Sequence, residues 1–179
     1  KEPGSLGEPL YLDVAATQHK KNLNDVVPIG GRYGLGSKDT PPSSIFALFK
    51  ELEKDQPKER FTLGITDDVT GLSLPEVKPA PITAAAGTKE CKFWGLGGDG
   101  TVGANKNSVK IIGDHTDKYV QAYFQYDSKK TGGVTISHLR FGDKPIRSPY
   151  YINQADFVAC HNPAYIHMGM KMVQDVKPG

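Results

Sequence analysis

A glycine-rich stretch between a predicted strand and a predicted helix constrains the fold of this chain more than any other feature. Residues 94–108 read WGLGGDGTVGANKNS, with an apolar run before them and a sequence able to form a helix, residues 104–113, at their end. A helix N-terminus presents unpaired N–H groups and the positive end of its dipole, and glycines let the backbone approach a phosphate closely. Three glycines have the spacing G-x-G-x-x-G: Gly98, Gly100 and Gly103. The pattern indicates a phosphate-binding turn, although glycines also serve simply to close a tight βα unit.

Two further predicted strands follow the helix. Residues 120–127 alternate apolar and polar side chains, which is typical of a strand. A strand, a helix and a strand of this length form a βαβ unit, so we expect the two strands to be parallel and the crossover right-handed. Residues 134–141 should form a hairpin with the second strand, because the intervening turn is short. The glycine-rich turn and residues 127–130 would then share the carboxyl edge of the sheet, where ligands bind in open α/β folds.

The residues at the end of the second strand suggest which nucleotide such a turn would bind. In dinucleotide sites, an acid roughly 20 residues past the glycines contacts the ribose hydroxyls, and a nearby basic residue accommodates a ribose phosphate. Here Asp127 is followed at once by Ser128, Lys129 and Lys130. Coenzyme A or NADP therefore fits this pattern better than NAD does. The alternative interpretation is that these residues form only a solvated turn.

The N-terminal third contains one clear helix. Residues 25–29 are a candidate short strand, and residues 61–65 are rich in β-forming residues. Between them, Thr40-Pro41-Pro42 supplies an N-cap and a first-turn proline for a helix that extends to about Lys54. Its apolar positions recur at i, i+3, i+4 and i+7: Ile45, Leu48, Phe49 and Leu52.

A proline-rich region divides the chain into two parts. We predict a linker over residues 67–89, between partial domains at residues 1–66 and 90–179. The expected fold class is α/β, with Rossmann-like βαβ units and a mostly parallel sheet with one hairpin. The chain has no initial Met and stops after a predicted helix, so we expect it to be an internal piece of a longer polypeptide.

Composition and missing motifs argue against several classes of function. The net charge is +2 with no basic block, which argues against a nucleic-acid partner, and no apolar run is long enough to cross a membrane. The two cysteines and five histidines lack the spacing of iron–sulfur or zinc ligands. Nucleophile elbows and Walker lysines are also missing from the sequence. We therefore assign no catalytic and no metal-binding residues.

Several strings resemble a known enzyme family. GGDGTVGANKNS (97–108), YDSKK (126–130), VTISHLRFG (134–142), PIRS (145–148) and QADFVACH (154–161) resemble the gamma-type domain of pyruvate:ferredoxin (flavodoxin) oxidoreductases. KEPGSLGEPLYLDV (1–14) and GRYGLGSK (31–38) resemble the end of the transketolase-C-terminal-like domain that precedes it. The resemblance covers nearly the whole chain and is weakest over residues 77–89.

The resemblance implies a cytoplasmic, homodimeric enzyme that oxidatively decarboxylates pyruvate on thiamine diphosphate with Mg²⁺. Such an enzyme passes electrons through [4Fe-4S] clusters to ferredoxin or flavodoxin and transfers the acetyl group to coenzyme A. The thiamine and cluster sites of the family lie in other domains, so this chain alone should be inactive. The gamma-type domain is expected to bind coenzyme A and to close over the active site.

This role assigns the candidate binding residues. For the pyrophosphate region they are the backbone of Gly98, Asp99, Gly100, Thr101, Val102 and Gly103 and the side chains of Asn105, Lys106 and Asn107. For the ribose and its phosphate they are Asp127, Ser128 and Lys129, with Arg140 as a further candidate. Two alternatives stay open: a stand-alone nucleotide-binding or regulatory module without catalysis, and the same module fused to an NADP-using flavoprotein domain.

Overall fold

The computed structural model describes residues 6–23, 25–66, 69–127 and 132–178. The chain divides into two compact units, Lys1–Ile82 and Thr83–Gly179, and the division falls within the predicted linker region 67–89. None of the helices in the described ranges combines the length and the apolar composition needed to cross a membrane.

The first unit contains a two-stranded parallel sheet. Its elements are α1 (Pro9–Lys21), β1 (Gly30–Arg32), a 3₁₀ turn (Leu35–Ser37), α2 (Pro42–Leu52) and β2 (Arg60–Thr62). The predicted helix is confirmed as α2, whereas the candidate strand at 25–29 is wrong, since the strand begins at Gly30. Gly31 pairs with Phe61, and a Cβ at Gly31 would overlap the Phe61 ring, so β1 needs glycine there.

The second unit is built on a four-stranded sheet. Its elements are β3 (Lys89–Leu96), α3 (Thr101–His115), β4 (Tyr119–Tyr126), β5 (Val134–Gly142), β6 (Phe157–Cys160) and α4 (Ala164–His167). The strand order is β4-β5-β3-β6. The α/β class, the strand–helix–strand unit and the β4–β5 hairpin are as predicted.

The position of β5 differs from the expectation of a single antiparallel pair. β5 runs antiparallel to both β4 and β3, and only β6 pairs with β3 in parallel. β3 and β4 therefore have the same direction, as predicted, but β5 lies between them. The hairpin turn fixes β5 beside β4, and the crossover through α3 is long enough to leave a strand's width between β3 and β4.

The two faces of this sheet are covered differently. α3 packs closely on one face because Gly95 has no side chain: a Cβ there would lie 2.5 Å from the Thr101 Cβ. The other face buries charge, with the Arg140 Nε donating to Glu90 Oε1 at 2.8 Å and Lys92 Nζ lying 2.6 Å from Asp175 Oδ2. Charged side chains thus occupy a large part of this face, where an apolar layer would be usual.

His138 lies in the same polar face and is held neutral. Burial, together with the nearby positive charges of Lys92 and Arg140, lowers the pKa of His138 to about 3. The Ile152 N–H donates to His138 Nδ1 at 3.1 Å, which leaves the ring proton on Nε2. The imidazole therefore fastens the segment after β5 to the sheet.

Candidate functional site

The glycine-rich turn and the β4–β5 connection meet at one edge of the four-stranded sheet. Leu96 pairs with Val134 and Tyr126 pairs with Thr135, so β3 and β4 both end where β5 begins. The Gly97 N–H donates to the Gly133 carbonyl at 2.7 Å. The prediction that the turn and Asp127 share the carboxyl edge is thereby confirmed. Ser128, Lys129 and Lys130 lie outside the described residues.

Two glycines in the turn adopt a backbone conformation that side chains disfavour. Gly98 has φ 93°, and Gly100, which immediately precedes α3, has φ 88°. L-residues rarely adopt this region, so the turn depends on glycine at both positions. The result is a tight bend that aims the first amides of α3 out of the sheet edge.

Asp99 stabilises the bend with its side chain. Its carboxylate accepts hydrogen bonds from the backbone N–H of Leu96 at 2.7 Å and of Thr101 at 2.8 Å. Partial burial acts to raise the pKa of Asp99, but these two backbone donors outweigh it and hold the pKa below its usual value. The Asp99 carboxylate is therefore an anion of the chain itself that accepts the hydrogen bond of the first α3 amide.

The next two amides of α3 remain open. In the described part of the chain, the structure shows an acceptor for the amides of Thr101 and Ala104 but none for those of Val102 and Gly103. Among the described residues, and apart from its chain neighbours and the adjacent backbone of its own helix, no heavy atom lies within 4 Å of a Cβ built on Gly103. An anion therefore has both unpaired donors and space at this point, with the helix dipole in its favour.

The predicted side-chain ligands are placed unequally. Lys106 and Asn107 are exposed, and the Lys106 Nζ lies 5.6 Å from the centroid of the Phe124 ring. Asn105 is only 3% exposed and donates to the Thr101 carbonyl at 2.9 Å, so its side chain stabilises the first helical turn from inside. Arg140 is buried beside Glu90 at the opposite end of β3, and the structure does not bring it to the turn.

His161 is a residue at this edge that the sequence analysis did not select. Because β6 is parallel to β3, its carboxyl end lies beside the glycine-rich turn, and the His161 N–H donates to the Trp94 carbonyl at 2.8 Å. The His161 Nδ1 lies 2.9 Å from the Thr101 hydroxyl. In the sequence, His161 directly follows a mostly apolar run, residues 155–160, that is typical of a short strand, and this position could have pointed to the sheet edge. Only the pairing of β6 with β3 shows which turn His161 lies beside.

Replacing Asp99 with alanine is expected to lower the free energy of unfolding by roughly 1 kcal/mol, since two backbone N–H groups lose their acceptor. The pKa of Asp99 is lowered in the folded state, so its contribution is present above the unfolded pKa, about 4, and is lost as pH falls through the folded value. Urea denaturation should therefore show a larger difference between native and variant chains at pH 7 than at pH 3.

The matched control is Asp114→Ala, which removes an exposed acid from the last turn of the same helix. Negative charge at a helix C-terminus is unfavourable, so this change should not destabilise the chain. A difference for Asp99→Ala that is the same at both pH values would contradict the assigned role of its carboxylate.

Comparison with known proteins identifies relatives of this chain. Residues 90–179 match the family model described as pyruvate ferredoxin/flavodoxin oxidoreductase. The pyruvate:ferredoxin oxidoreductase of Moorella thermoacetica is 60% identical over 100% of this chain and 15% of its own length. The pyruvate-flavodoxin oxidoreductase of Enterobacter agglomerans is 55% identical, also over 100% of this chain and 15% of its own length.

The name of a third relative gives a different electron acceptor. The mitochondrial pyruvate dehydrogenase [NADP(+)] of Euglena gracilis is 55% identical over 93% of this chain and 9% of its own length. The chain thus spans about 15% or less of the length of these relatives. On the match of residues 90–179, this chain belongs to the pyruvate ferredoxin/flavodoxin oxidoreductase family.

Proposed function

We propose that this chain is a segment of a longer pyruvate oxidoreductase and that its second unit binds the nucleotide end of coenzyme A. Family membership and the printed names of the relatives support the parent activity. The observation that carries the local role is that the Val102 and Gly103 amides are open at the sheet edge where β4 also ends, just before Asp127.

The chemistry of the proposed site follows from its charges. The open amides and the helix dipole favour the pyrophosphate, and the exposed Lys106 adds a positive charge one turn along α3. Lys129, which follows Asp127 in the sequence, is the proposed partner of the ribose phosphate, as a basic residue near the acid is in dinucleotide sites. In this proposal the segment holds coenzyme A so that its thiol reaches the acetyl group formed elsewhere in the longer protein.

In this proposal, other domains of the longer protein hold the family's thiamine diphosphate, Mg²⁺ and [4Fe-4S] clusters. Within residues 6–23, 25–66, 69–127 and 132–178, no three His, Cys, Asp or Glu side chains are grouped closely enough to hold a metal ion. These groups would supply the decarboxylation and electron-transfer chemistry, whereas the residues described here orient the acetyl acceptor.

The electron acceptor has two candidates. The names of the bacterial relatives point to ferredoxin or flavodoxin. An NADP-linked parent is the second candidate, because relatives named pyruvate dehydrogenase [NADP(+)] from Euglena gracilis and Cryptosporidium parvum are 55% and 49% identical to this chain. The full-length protein should be assayed for pyruvate-dependent reduction of each acceptor with and without coenzyme A. Absence of coenzyme A-dependent reduction of any of them would contradict the proposed activity.

The ribose phosphate gives a test of the local site. We expect coenzyme A to bind the full-length protein roughly tenfold more tightly than dephospho-coenzyme A, since a charged hydrogen bond contributes about 1.5 kcal/mol or more. Lys129→Ala should narrow that gap, while Lys144→Ala, a change of an exposed lysine beyond β5, should leave it unchanged. Calorimetric titration measures both affinities. Equal binding of the two ligands by the native protein would remove Lys129 from the site.

A further inference from the structure

α2 buries Ser43, Ser44 and Glu51 beside Ala47 and leaves most of its large apolar side chains exposed. Ser44 and Glu51 are only 1% and 4% exposed. Phe49 is 61% exposed and Leu52 is 44% exposed. A surface helix usually turns its large apolar side chains to the core. Here only Ala47 and the half-buried Leu48 pack against the core of the first unit.

The inward polar face is fixed by specific hydrogen bonds. The hydroxyls of Ser43 and Ser44 each donate to a different carboxylate oxygen of Glu76, both at 3.1 Å. Glu51 accepts from Lys54 Nζ at 2.6 Å and from the Lys58 N–H at 3.0 Å, and these contacts hold its pKa below the usual value. Turning the helix to bury its apolar side would break the two bonds to Glu76 and the bond from the Lys58 N–H, so the outward orientation of that side is part of the fold.

The exposed apolar side chains of α2 form a continuous surface, which we call the α2 outer surface: Ile45, Phe46, Phe49 and Leu52. Ile45, Phe49 and Leu52 lie at i, i+4 and i+7, on one side of the helix. Leu52 also lines a groove of about 680 Å³, whose other lining residues are the apolar Tyr11, Val27, Pro28, Ile29 and Pro57 and, among the charged residues, Glu59 and Arg60. Contiguous exposed apolar area of this kind marks an interaction surface.

We infer that the α2 outer surface and this groove form an interface with another part of the same longer polypeptide. This inference rests on the proposed function only because it requires that longer protein to exist. The relatives are more than six times the length of this chain, which covers 15% of them, so most of the polypeptide is available to cover the surface. The surface is aliphatic and aromatic at its centre, as in permanent interfaces, whereas transient electron-transfer contacts are small.

The unit that carries the surface also needs neighbours. β1 and β2 form a two-stranded parallel sheet, and parallel sheets occur in proteins with both faces covered. Its buried core is small, consisting of Ala47, Phe61, Leu63 and Leu74. Covering the α2 outer surface would add apolar burial where the unit itself supplies little, and the occupant is expected to present a complementary apolar surface with few charges.

Thiol labelling of single-cysteine positions tests the interface. Phe49→Cys and the neighbouring Lys50→Cys are made in the full-length protein, treated with N-ethylmaleimide under native conditions and quantified by mass spectrometry of the peptide that contains them. Lys50 is exposed and lies outside the surface, so it is the matched control. We expect F49C to react at least about tenfold more slowly than K50C, because labelling then requires the interface to open. Both should react equally in urea.

Three results would overturn the inference. F49C reacts as fast as K50C in the folded full-length protein; protection disappears on dilution to the protomer, which identifies a second copy as the occupant; or F49C is equally protected in the 179-residue chain, which places the cover within it. Leu52→Cys gives a second position if F49C does not fold. Pyruvate turnover of the same preparations is read separately, so inactivity with protection intact would count against the proposed function and not against the interface.

Discussion

Replacing Arg140 with leucine is expected to lower the free energy of unfolding of the second unit by roughly 3–5 kcal/mol, because the buried Glu90 carboxylate loses its closer charged partner and keeps only Lys177 Nζ, at 3.7 Å. The Arg140 and Glu90 side chains are 1% and 8% exposed, and their atoms meet at 2.8 Å. Arg140 also donates to the carbonyls of Ser148 at 3.2 Å and of Tyr150 at 2.8 Å. A fourth acceptor, Gln121 Oε1, lies 3.4 Å from the Arg140 Nη1, so the variant removes the donor for four acceptors at once.

Urea denaturation followed by tryptophan fluorescence measures this effect selectively. The chain has a single tryptophan, Trp94, which lies on β3 in the same unit. Lys118→Ala is the control: Lys118 and Asp143 also meet, at 2.7 Å, but their side chains are 41% and 80% exposed. An exposed pair contributes at most about 1 kcal/mol.

The double variant Arg140→Leu with Glu90→Leu should recover part of the loss, since no buried charge then stands alone. If R140L and K118A shifted the urea midpoint by the same amount, the buried pair would not have the structural role assigned to it.

For the second unit, the sequence predicts which helices and strands form better than it predicts which strands lie next to each other. Alternation in residues 120–126 and the glycine-rich turn after β3 identify a strand–helix–strand unit, which the structure confirms. The central position of β5 depends on contacts with β3, whose Cys91 pairs with Leu139, 48 residues later in the sequence. Local periodicity does not indicate with which distant strand β5 pairs.

The same limit explains the placement of the candidate ligands. Arg140 was selected as a cation near the site, but its partner Glu90 is 50 positions away in sequence, so the buried pair is invisible to local patterns. The position of Asn105 near the start of a helix suggests an exposed side chain, yet its side-chain amide donates to the Thr101 carbonyl one turn earlier. His161 became visible only through the pairing of β6 with β3.

α2 shows a further limit of periodicity. The spacing of Ile45, Leu48, Phe49 and Leu52 correctly predicts a helix and identifies its apolar side. It does not say whether that side meets this chain or a different surface. The two serines and Glu51 that determine the answer act through Glu76, Lys54 and Lys58, whose positions come from the fold.

A charge added at Gly103 is expected to weaken coenzyme A binding without weakening the fold. Gly103 is the third residue of α3, its surroundings are open, and a Glu or Gln there replaces a helix-interior glycine with a better helix former. Glu also suits the positive end of the helix dipole. Against a bound pyrophosphate, however, its charge at about 8 Å costs about 2 kcal/mol at an effective dielectric constant near 20.

Gln is the matched control for Glu, because the two side chains have the same shape and differ in charge alone. The decisive measurement is calorimetric titration of coenzyme A into full-length G103E and G103Q proteins whose urea midpoints have been compared first. If the turn holds the pyrophosphate, G103E should bind roughly thirtyfold more weakly than G103Q while being no less stable. Equal affinities of the two variants for coenzyme A would contradict the assignment of this turn as the phosphate-binding element.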